Sequence, residues 1–171
     1  MYRINLFNQM AGPLFRELSI ELAKENKGGT VLFTGNPSTL GYEDNTCGLD
    51  VKPMPLYNRK SILARTFSWL KYTIIASYHI LKMDSREEAL FTSNPPLLII
   101  SASLARVLGR KYHFLIYDVY PDILINLGVI RRYNIIVFVW KFLNKFALEG
   151  AQGVYTISEK MAEAIELQFI S

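Results

Sequence analysis

The densest group of chemically able side chains is the run Tyr117-Asp118-Val119-Tyr120-Pro121-Asp122. Two carboxylates and two phenols gather there, directly after the strand-like stretch Tyr112 to Tyr117. Polar groups at the end of a packed strand are costly unless they are satisfied or used. Asp118 is the best candidate for a catalytic carboxylate. It can orient or deprotonate an acceptor hydroxyl, work that needs hydrogen-bond reach and a fitting pKa. Tyr117, Tyr120 and Asp122 are its candidate substrate-binding neighbours. The competing reading is that Asp118 or Asp122 caps the next helix, as aspartates do. The two roles can also be split between them.

Three other loops follow apolar runs in the same way. Asn8-Gln9-Met10-Ala11-Gly12 follows the first. Gly12 there lets backbone approach a ligand, with free helix N–H groups behind it, or it marks a plain turn. Thr92-Ser93-Asn94-Pro95-Pro96 offers Asn94 as a hydrogen-bonding group at the edge of a site, or as a helix cap, with the prolines starting a helix. Thr156-Ile157-Ser158-Glu159 places Ser158 and Glu159 at a last helix start. Ser158 as N-cap, with Met161 and Ile165 facing inward, is sufficient there without a ligand.

The elements that must position these loops alternate between short apolar runs and helical periods. Strands are expected at 4–7, 30–33, 50–52, 89–92, 112–117 and 154–156. Helices are expected at 14–24 (through Leu14, Leu18 and Leu22), 61–82, 97–108, 123–127, 134–149 and from Ser158 to about 169. In the helix at 61–82, Leu63, Phe67, Leu70, Ile74, Tyr78 and Leu81 share one face. Residues 34–48 read as a polar loop. Strand–helix alternation argues a single α/β domain, a Rossmann-like parallel sheet with helices on both faces. Ligands of such sheets lie beyond the C-terminal strand ends.

Composition narrows the classes. The chain has 171 residues, 50% hydrophobic and 20% charged, with net charge +4. That describes one folded domain, without the charge density of a nucleic-acid binder. With one cysteine, Cys47, and two distant histidines, no metal site and no internal disulfide are expected. No signal peptide opens the chain, and no apolar run reaches the about 18 residues of a membrane span. A cytoplasmic location is the expectation. There is no G-x-G-x-x-G, no P-loop and no G-x-S-x-G, so dinucleotide, nucleoside-triphosphate and serine-hydrolase fingerprints are missing.

Five ordered segments then carry a family likeness: Leu22-Ala23 with Val31-Leu32-Phe33-Thr34-Gly35-Asn36-Pro37; Thr92-Ser93-Asn94-Pro95-Pro96-Leu97-Leu98; Tyr117 to Asp122; Leu127-Gly128-Val129; and Ile157-Ser158-Glu159-Lys160-Met161. In this order, over about residues 1–169, they resemble the N-terminal domain of family-4 glycosyltransferases of two-Rossmann-domain (GT-B) architecture. The likeness is to the bacterial branch that builds surface polysaccharides such as O-antigen (lipopolysaccharide) and capsule. The resemblance implies a retaining transferase that moves a sugar from a nucleotide sugar to a glycan or lipid-linked acceptor. It implies no cofactor, and a second, donor-binding domain as partner. Two departures matter. The first loop lacks the family's glycine pair, and Tyr117 stands where many relatives have a histidine. At this length the donor domain is absent, which reads as a truncated piece or as one subunit of a split enzyme. Such a half is expected to be inactive alone, and its uncovered flank is expected to self-associate.

No acidic residue occurs between Val51 and Met83, whereas Lys60, Arg65, Lys71 and Lys82 do, with Trp69 and Tyr72 among them. Lys60, Lys71 and Lys82 recur every eleven residues, one stripe on a helix. Lys60, Arg65, Trp69, Lys71 and Lys82 are therefore candidate membrane-facing residues, suited to a peripheral contact with an anionic inner-membrane surface. A core-packed helix with a solvated basic edge is the competing reading. The alternative to an enzyme domain is a non-catalytic module that docks on a membrane or a partner.

Overall fold

The structure, a computed structural model, describes residues 3–27, 29–40 and 48–170. Cys47 and much of the expected polar loop lie outside the described residues. Six parallel strands, β1 (Arg3–Phe7), β2 (Thr30–Thr34), β3 (Leu49–Pro53), β4 (Glu87–Thr92), β5 (Lys111–Ile116) and β6 (Gly153–Thr156), lie in the order β3-β2-β1-β4-β5-β6. The helices are α1 (Pro13–Glu25), α2 (Pro37–Leu40), α3 (Ile62–Lys82), α4 (Leu98–Val107), α5 (Asp122–Asn126), α6 (Ile135–Glu149) and α7 (Glu159–Ile165), which runs into a π-helical turn at Glu166–Ile170. This is the expected single α/β domain of Rossmann-like type. The strand order reverses between β1 and β4, which opens the crevice used for ligands in such sheets.

Strand alternation writes two ladders across the sheet. Leu6, Leu32 and Leu90 pair on one face, and Phe7, Phe33 and Phe91 on the other, with Phe114 beside Phe91. The phenylalanine rings contact in series: Phe7–Phe33 at 4.7 Å, Phe7–Phe91 at 5.4 Å and Phe91–Phe114 at 6.2 Å between centroids. This face forms the main core with α3, α4, α6 and α7. Among the described residues the helix covering the leucine face is α1, through Phe15 and Leu22, with Ala11 of the loop before it. Over β4 to β6 this face stays open, leaving a hollow of about 410 Å³ among Leu18, Leu22, Leu90, His113, Leu115 and Tyr155.

An aromatic ladder changes which helix face can pack on it. Bulky side chains at every facing position would overfill the interface, so α3 and α4 set small or hydrogen-bonding residues among their bulky ones. α3 buries Ser68, Tyr72, Thr73, Ala76 and Ile80. The face expected from its apolar spacing, Leu63 to Leu81, is turned to solvent instead. Tyr72, read as an interfacial aromatic, is wholly buried and donates its hydroxyl to the Phe33 carbonyl at 2.6 Å. α1 shows the same inversion. Phe15, Ser19, Ile20 and Ala23 are buried, whereas Leu14 and Leu18 are exposed. Smaller differences also stand. The 34–48 loop contains α2, Lys60 precedes α3, and the Pro95-Pro96 pair lies in a turn before α4 rather than in its first turn. Ser61, Asn134 and Ser158 cap α3, α6 and α7 with their side chains.

Candidate functional site

The segments after β1, β2, β3 and β4 are tied together at the sheet's C-terminal edge. Gln9, fully buried, is the tie. Its N–H donates to the Asn94 carbonyl at 3.1 Å, and its carbonyl accepts from the Gly35 N–H at 3.0 Å. Its side-chain Nε2 donates to the carbonyls of Pro55 and Ser68, both at 3.1 Å. Two carbonyls that need donors fix the amide's orientation. Oε1 is left buried without a partner among the described residues. Gly35 is required by close approach, since a Cβ there would meet the Pro55 carbonyl oxygen at 2.3 Å. Neither residue was singled out from the sequence. A glutamine in a strand-end loop carries no signal until the segments it bridges are known.

Ser93 organises the exit of β5. Its Oγ accepts from the N–H groups of Tyr117 at 3.0 Å and Asp118 at 3.2 Å. Thr92 adds a bond from its hydroxyl to the Phe7 carbonyl at 3.1 Å, joining β4 to β1. The backbone under Asp118 is therefore held while its side chain projects outward. Asp118 is exposed, and its carboxylate has no hydrogen bond or ion pair among the described residues. It caps no helix. The N-cap of α5 is Pro121, with no side-chain cap bond.

Tyr120 shares the mouth of this site. Burial raises its pKa first. The charges of Asp118 and Tyr57 raise it further, and Arg65 lowers it. Tyr117 is raised by burial. Both phenols therefore stay protonated at neutral pH and can donate a hydrogen bond. The Tyr120 carbonyl accepts from the Asn144 amide of α6, and its ring stacks on Trp140 at 6.0 Å. Arg65 faces this group with its Nε buried and unpartnered among the described residues. The cavity beneath, lined by Ser93, Asp118, Tyr120 and Asn144 among others, measures about 30 Å³. That holds a water molecule or two but no sugar ring.

The other expected site residues are distributed along the same edge. Asn94 belongs to the Gln9 tie through its carbonyl, beside Ser93. Gly12 is the N-cap of α1 and has room around it, its would-be Cβ meeting only Met10 O at 4.0 Å. Ser158 is occupied by capping, accepting from the Met161 N–H at 3.3 Å, and Glu159 is exposed beside it at the end of β6. Asp122 turns from the crevice to hold Lys141 at 3.0 Å and the Gln168 amide at 2.8 Å. Among the described residues no cluster of His, Cys, Asp or Glu could hold a metal ion.

No family model matches the chain. The chain is similar to a Pseudomonas aeruginosa protein described as "Probable glycosyltransferase WbjE", with 24% identity over 94% of this chain. It spans 43% of that protein's length.

Proposed function

We propose that this domain is the N-terminal, acceptor-side half of a two-domain retaining glycosyltransferase. It would act on a glycan or lipid-linked acceptor in surface-polysaccharide synthesis, using a nucleotide sugar and no cofactor. The likeness to a protein named as a glycosyltransferase, along 94% of the chain, and the parallel Rossmann-like sheet support a glycosyltransferase-like domain. The observation that carries the finer reading is Asp118. It is an unpaired, exposed carboxylate on a backbone clamped by Ser93, at the strand end next to the switch point.

In this reading Asp118 accepts the acceptor hydroxyl's hydrogen and aims its oxygen lone pair at the sugar's anomeric carbon. A new C–O bond forms there as the bond to the nucleotide phosphate breaks. Tyr117 and Tyr120 donate hydrogen bonds to the acceptor, and Arg65 supplies positive charge for a phosphate on a lipid-linked one. The donor is held by the second half of the enzyme. The test is transfer from a nucleotide sugar by a polypeptide carrying both halves. Asp118→Asn is expected to lower kcat about a hundredfold or more with the fold intact, and this chain alone is expected to transfer nothing. Transfer by the 171-residue chain on its own, or full activity of the asparagine variant, would overturn the reading.

A second reading, a docking module without chemistry, is favoured by the outward apolar faces of α3 and α6. Unaltered transfer-independent binding in the Asp118 variant fits both readings, so the kcat measurement separates them.

A further inference from the structure

α3, α4 and α6 form one layer over the phenylalanine ladder, and the outside of that layer is apolar. α3 turns Leu63, Phe67, Leu70, Ile74, Tyr78 and Leu81 to solvent, with Leu63 and Phe67 72% and 62% exposed. α6 does the same with Ile135, Ile136, Phe138, Val139 and Phe142, Phe138 being 71% exposed. Between α3 and α6 lies a cleft of about 510 Å³ whose walls include Trp69, Leu97, Val129, Arg131, Ile136 and Trp140. Through Leu97, Ile136 and Trp140 it shares walls with an apolar groove of about 280 Å³ between α4 and α6. The indole N–H groups of Trp69 and Trp140 are both buried without a partner among the described residues.

Charge says what covers this face. No aspartate or glutamate occurs in residues 51–83, 89–117 or 123–148, so the only acid on the three helices is Glu149, the last residue of α6. Lys60, Lys71, Lys82, Arg131 and Arg132 are exposed, and none has an ion pair among the described residues. Acids are carried instead by α1, as Glu17, Glu21 and Glu25. A broad apolar face is stable in water only when covered. A second copy meeting it face to face would bring two cationic rims together. Among the described residues no helix is long and apolar enough to cross a membrane.

We propose that this two-helix face is a monotopic seat on an anionic lipid bilayer. The stripes of α3 and α6 enter the acyl region, the Lys and Arg rim meets lipid phosphates, and the cleft between Trp69 and Trp140 opens to a single lipid. The seat is wider than the basic stripe of α3. Trp69, half-buried, lines the cleft, and Arg65, half-buried, lies near Tyr120, whereas Lys60, Lys71 and Lys82 stand in solvent. It depends on exposure and charge alone and holds whether or not the domain transfers sugar.

The test mixes the protein with unilamellar vesicles of phosphatidylcholine alone, or of phosphatidylcholine with phosphatidylglycerol, and sediments them. Trp69 and Trp140 are the chain's two tryptophans and both line the cleft, so brominated acyl chains report insertion by quenching their emission. Co-sedimentation with the anionic vesicles, weakened by salt and accompanied by quenching, is expected. Combining Phe67→Ser with Phe138→Ser should lower partition about tenfold or more with circular dichroism and melting unchanged. Lys60→Glu with Lys71→Glu should remove the preference for anionic lipid. Failure to sediment with anionic vesicles overturns the proposal, as does binding that the phenylalanine variant leaves intact. A dimer in light scattering that this variant dissolves would also overturn it and assign the face to a second copy.

Discussion

Asp118 and Asp122 are four residues apart in one loop, yet the fold separates them. Asp122 is consumed by Lys141 and Gln168, which tie α5 to α6 and to the last helical turn. Asp118 is left unpaired among the described residues on a fixed backbone. The aspartate-rich loop was legible from the sequence, but the division of labour was not, because Lys141 and Gln168 come from distant segments. At Gly35 the constraint is backbone against backbone. Gly35→Ala is expected to destabilise the domain by about 1–3 kcal/mol in urea unfolding, since the Pro55 carbonyl must move. His79 carries a pH dependence. Burial lowers its pKa below 6.5, with Lys82 and Arg3 adding to the effect, and its ring packs on Phe33 at 4.5 Å. The folded state binds its proton less well than the unfolded chain does. Its contribution is therefore complete above about pH 6.5 and is lost as pH falls through the folded pKa. Thermal melts of His79→Gln should fall less steeply on acidification than those of the parent. Equal slopes would show that His79 is not the group responsible.

At the scale of elements, the strands and helices were legible and the orientation of two helices was not. Period and caps place α3, and Ser61 and Met83 bound it as the spacing suggests. Its rotation about its own axis is a different matter. The apolar stripe from Leu63 to Leu81 is the stronger hydrophobic signal, yet Ser68, Tyr72, Thr73 and Ala76 face the sheet. The phenylalanine ladder leaves space for small residues, and the Tyr72 hydroxyl has a carbonyl to reach. This has a direct consequence for stability. Phe67→Ser, at an exposed position, should change unfolding free energy by less than about 0.5 kcal/mol. Tyr72→Phe should cost about 1 kcal/mol by removing the shorter of the two hydrogen bonds to the buried Phe33 carbonyl, which keeps only the Asn8 N–H. A large loss for Phe67→Ser and none for Tyr72→Phe would mean that α3 packs the other way round.

Across the whole molecule, charge and apolar surface are segregated. Acids gather on α1, on the leucine face, and on α7, whereas α3, α4 and α6 on the phenylalanine face carry only Glu149. The crevice with Asp118 opens at the C-terminal strand ends, between these two faces. A domain seated on lipid through α3 and α6 would hold that crevice close to the bilayer, where a lipid-linked acceptor would present its head group. The amino-acid order by itself determined the α/β class, the element sequence and the loops at the strand ends, because periodicity, caps and turns act over a few residues. It also determined the absence of acids from long stretches, which is plain in one dimension. Only the tertiary structure decided which helix faces are buried, which aspartate is left unpaired, and that Gln9 and Gly35 lock the site. Those outcomes depend on what stands opposite each side chain, and the opposing groups come from segments far apart in the chain.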